Sequence, residues 1–284
     1  MRFILKAFLT TLAVLLLAAP SAQAAKKITL AYVEWDCAVA STSVVQAVLQ
    51  EKMGYEVDVL PVAAAAMWQA VATGDVDGMV TAWLPVTHKN YADKLAGKYE
   101  NLGPVVGGAK LGWAVPKYVA IDSIADLNEH ADKFGGRVYG IDPGSGLMQL
   151  SEEAMEAYAL KDMELVEGSG ATMTAALADA IKNKQWVVVT AWSPHWMFGR
   201  WELKYLDDPK GALGGEEHID TVVRKGLKKD MPEAHAFLDR FHWASPDQLQ
   251  VVMAWNQEPG ADPYKNAVRF INENPELVNS WLGK

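Results

Sequence analysis

The chain has 284 residues, 50% of them apolar and 21% charged, with a formal net charge of −9. So much apolar surface supports a packed core and excludes a disordered or collagen-like protein; the acidic balance argues against nucleic acid, whose phosphates need clustered Lys and Arg. The one cysteine, Cys37, excludes an intramolecular disulfide and any Cys-rich zinc site.

The N-terminus reads as a secretory signal peptide. Arg2 and Lys6 form a positive start, residues 12–19 are an apolar run too short to span a bilayer comfortably, and Ala22-Gln23-Ala24 is a small-x-small cleavage signal. An uncleaved anchor is the less favoured alternative. Cleavage after Ala24 removes two basic residues and takes the net charge from −9 to −11. No cysteine stands at the cleavage point to carry a lipid. The expected mature protein is free in an exported compartment, most simply a periplasm. No later segment is apolar enough to cross a membrane.

Strands and helices then alternate. Residues 27–33 predict a strand, and 41–53 a helix with Ser41 and Thr42 as candidate N-caps. A second strand at 56–62, a helix at 67–73 and a buried strand at 77–82 follow. This β-α-β-α-β order implies an open α/β sheet. The pattern recurs: strand 137–141, helix 147–158, strand 163–166, helix 172–181 and strand 186–191. Residues 221–224 read as a strand, and 232–281 as mostly helical, broken near Ser245-Pro246 and over 258–263. The length fits one large domain or two lobes of ordinary size.

The two halves echo each other. One ends its last strand in Thr81-Ala82-Trp83-Leu84-Pro85, the other in Thr190-Ala191-Trp192-Ser193-Pro194. Each puts a Trp at the carboxyl end of a buried strand, where open α/β sheets bind ligands. Trp35 follows the first strand in the same manner. The other eight of the 11 tryptophans lie in or beside regular elements and read as packing.

Three indole faces around one cavity attract a cation through their ring quadrupoles. A methylated onium group suits such a box best, because it has no N–H for a carboxylate to accept. The segment Asp142-Pro143-Gly144-Ser145-Gly146-Leu147 follows a strand and opens a helix, so its backbone N–H groups form a candidate anion site. No P-loop or dinucleotide-binding motif is present. His88 is a candidate second donor to the anion. His195 has similar standing, or seats its own turn. Asp36 either adds negative charge near the cation or caps the following helix. A cation box beside an anion pocket points to a zwitterion with an onium group and a carboxylate.

The segments 31–36, 82–88, 140–146, 192–198, 203–210 and 223–226 resemble the motifs of glycine betaine/proline betaine substrate-binding proteins of ABC importers, over about residues 27–284. The resemblance implies a two-lobed α/β periplasmic binding protein of the Venus-flytrap, type II-like class. Each lobe would be an open mixed sheet flanked by helices, with the ligand in the cleft between. It implies a tryptophan prism of Trp35, Trp83 and Trp192 around the onium group. The ligand carboxylate would be held by the backbone N–H groups of Gly146 and Leu147 and by His88. The implied partners are a betaine-type ligand and an inner-membrane ABC permease with its cytoplasmic ATPase, with no cofactor and no metal. A monomer is expected. Lobe I is expected over 26–113 and 217–284, and lobe II over 114–216. Choline, carnitine, dimethylsulfoniopropionate and trimethylamine N-oxide are alternative ligands, and presentation to a signalling receptor is an alternative role. The chain carries no H-E-x-x-H, G-x-S-x-G or paired-metal spacing, which argues against a secreted enzyme.

Overall fold

The computed structural model describes residues 26–284, so the expected signal peptide and its cleavage point lie outside the described residues. Alternating strands and helices build two similar halves. In the first, β1 (Lys27–Tyr32), α1 (Asp36–Glu51), β2 (Glu56–Pro61), α2 (Ala64–Thr73) and β3 (Gly78–Leu84) follow one another. A short helix, α3 (Lys89–Lys94), leads into the long strand β4 (Tyr99–Pro116). The second half contains β5 (Arg137–Tyr139), α4 (Gly146–Ala157), β6 (Glu164–Val166), α5 (Gly170–Lys182), β7 (Val188–Ser193), α6 (Met197–Arg200) and β8 (Leu203–Tyr205). The chain then returns through β9 (Glu216–Arg224) and finishes in α7 (Leu227–Asp230), α8 (Pro232–Arg240), α9 (Pro246–Asn256), α10 (Pro263–Glu273) and α11 (Pro275–Leu282).

The strand order is β2-β1-β3-β9-β4-β7-β5-β6, with β8 added against β4. At one end β2, β1 and β3 run parallel; at the other β6, β5 and β7 do the same. The antiparallel strands β9 and β4 join them. β4 pairs with β9 from Tyr99 to Lys110 and with β7 from Lys110 to Ala114, so one strand serves both lobes. Six of the seven β3 residues are buried, as befits a strand covered on both faces. Behind it, α1 packs against α9 and α10. One apolar cluster runs from Trp113 and Phe134 to Leu206 and Leu213, within the second half of the chain and the end of β4 that leads into it. A larger cluster fills the first lobe and reaches the facing side of the second.

Some element limits differ from expectation. α1 begins at Asp36, so Ser41 and Thr42 are buried helix residues and not caps; Ser41 Oγ accepts the Trp243 indole N–H at 3.1 Å. β7 begins at Val188 and runs on to Ser193, so Trp192 lies inside the strand. The sequence pattern places no strand over 99–116. Gly103, Pro104, Gly107, Gly108 and Gly112 interrupt any two-residue period there, and β4 tolerates them because its register to β9 shifts at bulges. β9 starts at Glu216, ahead of the expected 221, because its polar residues are turned inward: Glu217 and Asp220 are buried. The C-terminal stretch is four helices, each with a proline in its first turn, where the ring removes no needed donor. No helix among the described residues is long and apolar enough to cross a membrane.

Candidate ligand-binding site

The carboxyl ends of β3, β5 and β7 and the loop after β1 meet at one cavity. Trp35, Trp83 and Trp192 line it together, the first two from one lobe and the third from the other. Their side chains are almost wholly buried. Ser145, Gly146 and Leu147 form another part of the wall. Cys37, Thr87, Leu111 and Ile141 complete the lining; no binding role for these four is read from the sequence.

Contacts around the three tryptophans fix the segments that carry them. Trp35 Nε1 donates to Asp142 Oδ1 across the cleft at 2.8 Å. The Trp83 backbone N–H donates to His88 Nδ1 at 3.0 Å, and the His88 backbone N–H donates to the Trp83 carbonyl at 2.9 Å. Trp192 stands edge-on to His195, with ring centroids 4.4 Å apart. The prolines of the two echoed motifs, Pro85 and Pro194, are both preceded by cis peptide bonds. Burial pushes the Cys37 thiol up to about 12, so it stays protonated at neutral pH and is a poor nucleophile.

The anion-binding candidate is a helix start. Ser145 caps α4, its Oγ accepting the Met148 N–H at 3.3 Å, and its carbonyl accepts the Gln149 N–H at 3.1 Å. The Gly146 and Leu147 amides are therefore the unclaimed donors of the first turn. Gly146 must be a glycine for a steric reason: a Cβ there would lie 2.2 Å from the Thr87 carbonyl oxygen in the facing lobe.

The Thr87 loop is itself fixed by a residue that sequence reading misses. The buried Glu217 carboxylate accepts the Val86 N–H at 2.6 Å, the Thr87 N–H at 2.7 Å and the Thr87 hydroxyl. An acid among charged neighbours reads as solvated surface, and only the fold turns it inward.

His88 is fully buried and its ring lies 5.8 Å from that of Trp35, although it is not among the residues lining the cavity. Because Nδ1 accepts a hydrogen bond, the neutral ring carries its proton on Nε2, and that buried atom has no partner among the described residues. Burial lowers the His88 pKa to about 3, so the ring is neutral at physiological pH.

Asp36 and His195 lie outside the cavity wall. Asp36 is the first residue of α1 and its carboxylate accepts the Trp196 indole N–H at 2.9 Å and the Gln257 amide at 2.8 Å. It therefore links the lobes instead of facing the indoles. His195 Nδ1 accepts the Met197 N–H at 3.1 Å, which seats the turn after β7. Its Nε2 comes within 3.2 Å of Asp36 but lacks hydrogen-bond direction.

Residues 26–273 match the model of the substrate-binding domain of ABC-type glycine betaine transport systems. A glycine betaine/carnitine transport binding protein of Listeria monocytogenes is 42% identical over 162 residues, which is 56% of this chain and 52% of the relative. The match thus spans about half the length of that curated relative. The fold resembles lactococcal OpuAC in its closed-liganded conformation complexed with glycine betaine, with a TM-score of 0.85 and 43% identity over 90% of this chain and 99% of the other. It also resembles an ABC-transporter choline-binding protein in complex with choline, with a TM-score of 0.83 and 26% identity over 90% of this chain and 91% of the other.

Proposed function

The chain belongs to the family of substrate-binding domains of ABC-type glycine betaine transport systems, and from that premise we propose that it binds glycine betaine outside the cytoplasm and delivers it to an ABC permease. The observation that carries this reading is the convergence of three buried indoles and two unclaimed helix-start amides on one cavity. Trp35, Trp83 and Trp192 surround the trimethylammonium group. Each cation–aromatic contact is worth about 0.5–2 kcal/mol, more as water is excluded. The Gly146 and Leu147 amides hold the carboxylate, and the unpartnered His88 Nε2–H is its further donor.

The ligand acts by stabilising closure. Trp192 and the Gly146 turn come from one lobe, Trp35 and Trp83 from the other, so only the closed form offers all four at once. Closure removes water and strengthens every electrostatic contact inside. No bond is made or broken: the chain is a transport receptor and not an enzyme. The first 24 residues direct export to the periplasm, where the mature chain works as a monomer and meets a membrane permease coupled to a cytoplasmic ATPase. The lobes divide as 26–113 with 217–284, and 114–216; an apolar cluster whose members run from Trp113 to Leu213 supports a boundary close to these limits.

Choline is the second reading, because a fold relative holds it. Two features favour betaine. The Asp36 carboxylate is occupied by Trp196 and Gln257, so it does not serve the cation. The free amides and the His88 donor need an anion that choline lacks. Calorimetric titration of the mature chain with glycine betaine, proline betaine, carnitine, dimethylsulfoniopropionate and choline tests this. Micromolar or tighter binding of glycine betaine, with choline weaker, is the expected result. Absence of heat with every onium compound would overturn the assignment.

A further inference from the structure

The turn assigned to the carboxylate is gripped from across the cleft at two points. Trp35 Nε1 donates to Asp142 Oδ1 at 2.8 Å, at the turn's start. The Tyr91 hydroxyl, on α3 of the first lobe, donates to the Gly144 carbonyl at 2.6 Å. That hydroxyl also accepts from Gln149 Nε2 at 3.2 Å, so its hydrogen-bonding capacity is spent on the second lobe. Asn90 Nδ2 adds a bond to Gln149 Oε1 at 3.2 Å. Gly144 has φ +82°, in the left-handed region that favours glycine. Neither Tyr91 nor Asp142 lines the cavity.

We propose that Tyr91 and Asp142 are positioning residues that clamp the 142–146 turn to the first lobe and thereby set how long a bound anion stays on the Gly146 and Leu147 amides. The identity of that anion rests on the betaine reading above; the clamp itself rests on the contacts just given. In an open protein both groups are solvated, and the encounter with ligand precedes their pairing. Losing a clamp bond therefore accelerates dissociation and leaves association alone.

The test is stopped-flow tryptophan fluorescence with glycine betaine on the mature chain and on Tyr91→Phe, Asp142→Ala and Asp142→Asn. Tyr91→Phe removes only the hydroxyl, and a net hydrogen bond corresponds to a rise in koff of about fivefold. Asp142→Ala behaves likewise, while Asp142→Asn keeps an oxygen acceptor for Trp35 and restores slow dissociation. The melting temperature of ligand-free Tyr91→Phe matches the wild type, and that of the betaine-saturated variant falls. An unchanged koff, or an equal loss of melting temperature with and without ligand, overturns the clamp. If the wild type binds no betaine, the betaine reading fails, and the stopped-flow series is repeated with proline betaine and carnitine, which also carry a carboxylate. A faster koff in Tyr91→Phe with either upholds the clamp, and an unchanged koff, or no binding of either, rejects it.

Discussion

His88 is a buried base that stays neutral. Its folded pKa of about 3 lies below the ordinary 6.5, and burial is the cause. An unfolded chain binds a proton at this side chain as pH falls below about 6.5, while the folded chain does not until about pH 3. The contribution to stability is therefore complete above the higher value and is lost as pH falls through that window, by up to roughly 1.4 kcal/mol per pH unit. Calorimetric melting of ligand-free wild type and His88→Gln between neutral pH and pH 5 checks this; the variant should show the shallower decline, and parallel declines would contradict it. At this scale the sequence is informative wherever chemistry and position coincide locally. A tryptophan at a strand end and a glycine turn before a helix can both be recognised in a single window. Glu217 and Tyr91 cannot. Their partners, Thr87 and Gly144, lie 130 and 53 residues away, and nothing near them in the chain marks the pairing.

The start of α4 shows how a whole element answers to the facing lobe. Gly146 is a helix residue, where alanine ordinarily stabilises by about 0.5–1 kcal/mol. A Cβ at that place nevertheless meets the Thr87 carbonyl at 2.2 Å once the lobes are together. Gly146→Ala should therefore leave the ligand-free melting temperature unchanged or higher and abolish tight betaine binding. Calorimetry on one preparation reads both; retained affinity would contradict the close approach. The longer helices and the parallel strands are legible from the spacing or continuity of their apolar residues, whereas the short α3 and α6 carry too few to show a period. β4 is not, because its glycines and Pro104 read as loop until β9 and β7 supply the pairing that overrides them. The early start of β9 is hidden for the related reason that its inward side chains are polar.

Across the whole molecule, the repeated Thr-Ala-Trp-x-Pro anticipates two lobes of the same build. The strand order bears the likeness out: β2-β1-β3 and β6-β5-β7 mirror each other about the β9–β4 pair. What no local pattern conveys is that β4 belongs to both lobes, so that the receptor must close about strands common to its two halves. The cleft is bridged around the cavity by Trp35 to Asp142, Trp196 to Asp36 and Tyr91 to Gly144. Binding and closing are consequently one event in this account, driven by a ligand that touches both lobes. A crystal structure of the mature chain grown with glycine betaine examines that claim most directly. The quaternary nitrogen should sit within about 6 Å of the ring centroids of Trp35, Trp83 and Trp192, with the carboxylate on the Gly146 and Leu147 amides. A betaine bound away from these indoles, or touching one lobe only in a closed molecule, would contradict it.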